Sequence, residues 1–373
     1  MSAFPSAGPD VGTTESFQVG HAVHPLRLAV AAPVFAAAGH PGMRTPSLAE
    51  ASWTVVREAV ARAEALGYDA VWFSDHLFHG RGGAFHESWT ALSMAAGFTD
   101  RIHLVNNHLG IGIRDPRVIA KMATTLADAT GDRFELFLAT GYRERELRAY
   151  GLGWDDDATR WKRLRKALDV VRALWSGEMI DADGEFYPLH GAVAAPTGST
   201  APFVWVGGPI GDEMLALVAE EADGWNTFPL SVDDFALASA RVDDACRRIG
   251  RSPSSLRRSL EIQVLVLDDE ADWDDWVRRW ERLRSEAPLD DATSDLVPAG
   301  SVVDDAALAA VRDTALIGTP AQIAQRIAAY RAAGMTDLVC WFMDIPSHRS
   351  MESLREIVES SSESLAHERE EHA

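Results

Sequence analysis

Eight short apolar runs, separated by stretches of helical periodicity, constrain the fold of this chain most. The runs are Leu26–Ala32, Asp69–Ser74, Ile102–His108, Phe134–Thr140, Phe203–Gly207, Asp223–Phe228, Leu260–Leu267 and Asp337–Met343. Most are continuously apolar, the pattern of strands covered on both faces. Between them, Val56, Val60, Ala63 and Leu66 mark one helix face, and Gly67 stands where a C-terminal cap belongs. Ile119, Met122, Leu126 and Ala129 repeat the pattern, with Asp115 as N-cap, Pro116 in the first turn and Gly131 as the stop. Thr319-Pro320-Ala321-Gln322 has capping-box spacing and opens a further helix. Strands alternating with helices predict an α/β chain folded as a (β/α)8 TIM barrel with insertions. A doubly wound open sheet is the second possibility, but no GxGxxG follows the first run.

A minimal barrel takes roughly 250 residues, and this chain has 373. The reading assigns 1–24 to a loose N-terminal extension, 25–346 to the barrel domain and 347–373 to a charged C-terminal helix or tail. The acidic segment at about 268–315, with Asp268, Asp269, Glu270, Asp272, Asp274 and Asp275 clustered, reads as a solvated insertion carrying one or two helices. A cation site is the alternative there. With 35 basic against 56 acidic residues the net charge is −21, which argues against nucleic acid or an anionic membrane as partner. The two cysteines, Cys246 and Cys340, lack CxxC spacing. No basic residue precedes Arg27 and the apolar stretch Leu28–Gly39 is interrupted by Pro33, so the expectation is a cytoplasmic chain without a membrane span.

Barrels of this kind carry their chemistry at the C-terminal strand ends. The second run ends in Ser74-Asp75-His76, an acid and an imidazole suited to proton transfer. The third ends in Asn106-Asn107-His108. Buried amides need partners, and a flat heterocycle with carbonyl and N–H edges supplies them. The fourth is followed by Gly141-Tyr142-Arg143, where glycine admits close backbone approach and Arg143 is placed to face an anion. Gly207-Gly208, with a helix opening near Asp212, forms a candidate phosphate cradle. Asn226 and Thr227 at the sixth end are candidates to complete it. A metal-dependent hydrolase is disfavoured, because the first run carries no histidine and the later ends supply Asp344 alone. No metal is assigned.

Taken together, these residues resemble the bacterial luciferase-like monooxygenase superfamily, and within it the members that use the deazaflavin coenzyme F-420. The resemblance is carried by the stretch Ala63 to His76, by Thr130 to Leu136, by Val204-Trp205-Val206-Gly207-Gly208-Pro209, by Ala222-Asp223-Gly224-Trp225-Asn226, and by Ile317 through Gly334. It implies a barrel that is usually a homodimer, with a flavin-type ring in its mouth. By position, Asp75 and His76 match the ring-side acid/base pair. Asn106 and Asn107 match the end where many members carry a non-prolyl cis peptide, and Gly207 and Gly208 match the phosphate cradle. The implied function is hydride transfer between reduced F-420 and a small organic substrate. The alternatives are an FMN-dependent monooxygenase served by a separate flavin reductase, and a non-catalytic flavin-binding barrel. Tyr142 stands where the sugar-phosphate dehydrogenases of the family carry an acid, which speaks against glucose 6-phosphate as substrate.

Overall fold

The computed structural model describes residues 25–38, 46–269, 271–286 and 311–371. The expected extension at 1–24 and much of the acidic segment lie outside them. All eight apolar runs become parallel strands: β1 (Arg27–Ala31), β2 (Ala70–Ser74), β3 (His103–Gly110), β4 (Phe134–Ala139), β5 (Phe203–Gly207), β6 (Gly224–Thr227), β7 (Arg257–Val266) and β8 (Asp337–Phe342). Each pairs with its sequence neighbour, and β8 returns to β1 through Arg27↔Asp337 and Val30↔Cys340. The ring is therefore closed, so the chain forms a (β/α)8 barrel and not an open sheet. A short strand, Leu316–Gly318, extends β7 past β8.

The outer layer follows the caps read in the sequence. Helix α1 (Trp53–Ala65) starts at Ser52, and α2 (Ser88–Ala96) starts at Glu87, whose carboxylate accepts from the N–H of Trp89 and Thr90. Helix α3 (Pro116–Thr130) is capped by Asp115 and stopped by Gly131 in the left-handed conformation. Then come α4 (Glu144–Ala149), α5 (Asp157–Leu174), α6 (Asp212–Glu221) and α7 (Val232–Arg248). Helices α8 (Ala271–Glu286), α9 (Pro320–Ala332) and α10 (Arg349–Glu371) follow, and α9 has the expected capping box. Helix α8, within the acidic segment, is not wholly solvated. Trp273, Trp276 and Trp280 stack along one face and bury against Leu265 and Met343.

The two ends of the barrel differ in kind. At the N-terminal end Glu135 is buried, with Trp205 Nε1 donating to it at 2.7 Å and the His103 imidazole nitrogen Nδ1 lying 3.0 Å away. Arg27 at 3.3 Å and Arg257 at 3.5 Å complete its surroundings. Burial opposes its ionisation, but His103, Arg257 and Arg27 hold the carboxyl well below the usual carboxylate range. This is a structural plug. The C-terminal end holds the groups singled out above.

A candidate active site at the C-terminal mouth of the barrel

His76, just past β2, is 7% exposed, and both its ring nitrogens are engaged. Nδ1 lies 3.0 Å from Glu146 Oε2 on α4, and Nε2 lies 2.9 Å from the Tyr142 hydroxyl. A carboxylate only accepts, so the proton on Nδ1 is His76's own. The other Glu146 oxygen accepts from the backbone N–H of Leu77 and, at 3.0 Å, of Phe78. Burial pushes Glu146 up, but the bonds from His76 and these two N–H groups outweigh it and keep the carboxyl below its ordinary value. Glu146 is a partner of His76 that the strand ends do not point to, because it sits on a helix 70 residues from the imidazole.

Asp75 is not the partner of His76. Both its oxygens accept from Arg114 Nη1 at 2.9 Å, and Arg114 continues to Glu87 at the start of α2. Burial raises the Asp75 carboxyl and Arg114 opposes the rise. Its geometry is that of an anchor between β2 and the turn before α3. Arg143, expected to face an anion, is turned inward instead: it is 5% exposed, contacts His79 and has Nε 3.9 Å from Glu146. The carboxylate on the next helix turn draws it in. Gly141 takes φ +77°, and its carbonyl accepts from Arg160 of α5, whose guanidinium stacks 4.1 Å from the Trp154 ring. This clamp fixes the loop that presents Tyr142.

The polar end of β3 divides into two functions. Asn106 is spent within the barrel wall, its amide bonding the carbonyl and N–H of Phe137 at 3.3 and 3.4 Å. The reason is a bulge: β3 advances from Asn106 to Leu109 while β4 advances only from Leu136 to Leu138. The bulge ends on His108 with φ +56°. No non-prolyl cis peptide occurs among the described residues, where the cis bonds are Ala195-Pro196 and Ile345-Pro346. Asn107 Nδ2 donates to the fully buried Glu261 of β7 at 3.1 Å, while its Oδ1 is buried without a partner. His108 Nε2 and Trp341 Nε1 also reach Glu261, at 2.6 and 3.0 Å. The pair Glu261 and Gln263, spaced two apart in an apolar run, was the available sign of a polar barrel interior.

On the opposite wall, Asn226 is fully buried, with Nδ2 on Ser259 Oγ at 2.9 Å and Oδ1 unpartnered. Thr227 ends β6 beside it, also buried. Gly207 is required by packing, since a Cβ there would stand 2.5 Å from the Asn226 carbonyl oxygen. Gly208, at φ +140°, borders open space and leads to α6, whose N-terminus has no side-chain cap. The exposed carboxylates of Asp212 and Glu213 in that first turn set negative charge against an anion there.

The family model described as luciferase-like monooxygenase matches residues 16–337. The chain belongs to that family. Among curated relatives of this luciferase-like chain, a phthiodiolone/phenolphthiodiolone dimycocerosates ketoreductase of Mycobacterium tuberculosis is 31% identical over 54% of the chain. That match spans 58% of the ketoreductase's length. An F-420-dependent glucose-6-phosphate dehydrogenase of Kineococcus radiotolerans is 28% identical over 74% of the chain and 84% of its own. Among solved structures, an F-420-dependent secondary alcohol dehydrogenase aligns with TM-score 0.70 over 89% of the chain and 98% of its own, at 17% identity. The EDTA monooxygenase of Chelativorans sp. BNC1 aligns with TM-score 0.71 over 91% and 94%, at 15% identity. These likenesses establish the fold. Among the described residues no helix is long and apolar enough to cross a membrane.

Proposed function

We propose that this luciferase-like chain is an oxidoreductase that binds coenzyme F-420 at the C-terminal mouth of the barrel and passes hydride between it and a small unsaturated or carbonyl substrate. The observation that carries this reading is a buried imidazole engaged on both nitrogens at the C-terminal strand ends of a barrel that also holds two buried amide oxygens with no protein donor. Asn107 Oδ1 and Asn226 Oδ1 suit the N–H edge of a flavin-type ring. Gly208 and the uncapped start of α6 are the backbone left for its phosphate, and Asp212 and Glu213 make that part of the fit electrostatically poorer. Bound there in its reduced form, a deazaflavin supplies the hydride. His76 handles the accompanying proton, Glu146 fixes its tautomer, and the bulge of β3 with Glu261 shapes the floor beneath. F-420 as cofactor is further supported by the names of two relatives whose matches cover 74% of the chain.

The family description names a monooxygenase, which supports one alternative: an FMN-dependent monooxygenase, for which a separate flavin reductase would be the partner. The proposal includes a homodimer working in the cytoplasm. Equilibrium titration of the protein with F-420 and with FMN tests it. F-420 should bind below roughly 100 µM, an upper bound for a specific site, and His76→Ala should bind it while losing turnover. Preferential FMN binding with oxygen-dependent turnover would select the monooxygenase. Binding without turnover across a substrate panel would select a non-catalytic barrel.

A further inference from the structure

Both nitrogens of His76 are occupied, so a substrate in the barrel mouth has no direct access to the imidazole while Tyr142 keeps its place. Tyr142 is 47% exposed where His76 is 7% exposed, so the phenol is the solvent-side member of the pair. It lies on the loop clamped through Gly141 by Arg160. From these contacts we propose that Glu146, His76 and Tyr142 form a proton relay whose terminal donor is the Tyr142 phenol, delivering its proton to the oxygen of a ketone or aldehyde. This rests on the deazaflavin reading for its hydride, but the relay itself is a property of the protein alone.

The step balances as follows. His76 begins as imidazolium, with Nδ1–H on the Glu146 carboxylate and Nε2–H on the Tyr142 oxygen. The carbonyl carbon gains a hydride from the reduced deazaflavin, and the C=O π pair moves onto oxygen. That oxygen takes the phenolic proton, and the phenol oxygen takes the Nε2 proton in turn. Two electrons pass from cofactor to substrate, and His76 ends neutral with its proton on Nδ1. Alcohol oxidation is the reverse. Tyr142 is the catalytic residue of the relay, and Glu146 is a positioning residue acting through His76. The charged or titratable groups around the imidazole are Glu146 and Tyr142 in contact, His79 with ring centroid at 5.0 Å, Arg143 on Glu146, and Asp75 paired with Arg114. The depressed carboxyl of Glu146 agrees with an anion placed to hold the imidazolium.

Nitrogen-15 histidine spectra of the cofactor-free protein, with His76 assigned by its loss in His76→Asn, test the relay without turnover. Neutral His76 should carry its proton on Nδ1, and Tyr142→Phe should shift Nε2 while leaving that tautomer. Glu146→Gln should release a mixture of tautomers. A neutral His76 that carries its proton on Nε2 in the unmodified protein, or an Nε2 signal unmoved by Tyr142→Phe, overturns the relay whatever the cofactor proves to be. With F-420 bound, Tyr142→Phe should lower kcat on a carbonyl substrate by about 100-fold, the scale of a lost general acid, with cofactor affinity unchanged. Glu146→Gln should also shift the pH profile of kcat. Turnover of Tyr142→Phe within threefold of the unmodified protein overturns the terminal-donor assignment. A protein that binds F-420 yet reduces no ketone or aldehyde overturns the substrate class alone, and one that binds no F-420 overturns the deazaflavin reading and not the relay.

Discussion

Glu261 holds His108 Nε2 at 2.6 Å in the interior of the barrel, joining the middle of β7 to the bulged end of β3. The same carboxylate takes the Asn107 amide and the Trp341 indole, so three donors converge on two oxygens. Glutamine in this place offers one acceptor and turns an NH2 toward the donors. Glu261→Gln should therefore leave at least one buried donor unpaired and destabilise the protein by about 2 kcal/mol. Urea unfolding checks it: the midpoint should fall with the slope unchanged. An unchanged midpoint would show that the network is not anchored on the charge.

Arg114 bears a comparable burden on the other wall. It is the counter-charge of Asp75, whose carboxyl is buried and raised by that burial. Arg114→Met should cost about 3–5 kcal/mol at neutral pH, the scale for orphaning one buried charge. A carboxyl whose folded pKa lies above its unfolded value is a burden when ionised, and the burden lifts as pH falls through the folded value. The deficit of Arg114→Met should accordingly shrink in acid, and adding Asp75→Asn should recover much of it at pH 7. A deficit that grows in acid would contradict this account.

Much of this architecture was legible because its signals are local. Asp115-Pro116 with Gly131, and Thr319 with Gln322, are short-range cap chemistry, and each bounds the helix expected of it. The eight apolar runs bury whichever strands they pair with, so their identity survives without knowledge of the partner. The site was legible only as a set of strand ends. Arg143 reads as an anion-facing cation until Glu146 and His79 are seen to enclose it. Asn106 reads as a ligand until the β3 bulge exposes the Phe137 backbone that its amide satisfies. The Leu316–Gly318 strand is too short for its periodicity to register. The Asn106–Phe137 and Arg143–His79 contacts are distant in sequence, which residue spacing does not encode, whereas Arg143 and Glu146 stand only three residues apart.

Glu135, at the opposite end from the site, should contribute to the protein's response to acid. Its folded carboxyl lies well below the ordinary value because of His103, Arg257 and Arg27, despite its burial. A depressed carboxyl contributes fully above the unfolded value of about 4.3 and loses that contribution as pH falls toward the folded one. Stability should therefore decline as pH drops below about 4. Glu135→Gln should flatten that limb and cost roughly 2 kcal/mol at pH 7, a figure reduced from the buried-pair scale because both arginines are partly exposed. Denaturant midpoints measured from pH 3 to pH 7 for both proteins decide it, and parallel curves would remove Glu135 from the acid response.

The glycines at the fifth strand separate packing from ligand approach. An added Cβ at Gly207 would stand 2.5 Å from the Asn226 carbonyl oxygen and 3.0 Å from the Phe137 ring. The first of these is backbone and cannot swing aside, so β5 and β6 must part where Gly207 pairs with Asn226. Gly207→Ala should cost about 2–3 kcal/mol, the upper part of the range for forced overpacking, and should weaken cofactor binding by displacing Asn226. Gly211, in extended backbone at φ −147° and with nothing near its would-be Cβ, provides the contrast. Gly211→Ala should stay within about 1 kcal/mol, since only N-cap preference changes. Thermal unfolding and F-420 titration of the two variants make the comparison. Equal losses would mean that the loop tolerates neither change for reasons unrelated to the β5–β6 contact, whereas a loss confined to Gly207→Ala ties the cradle to strand spacing.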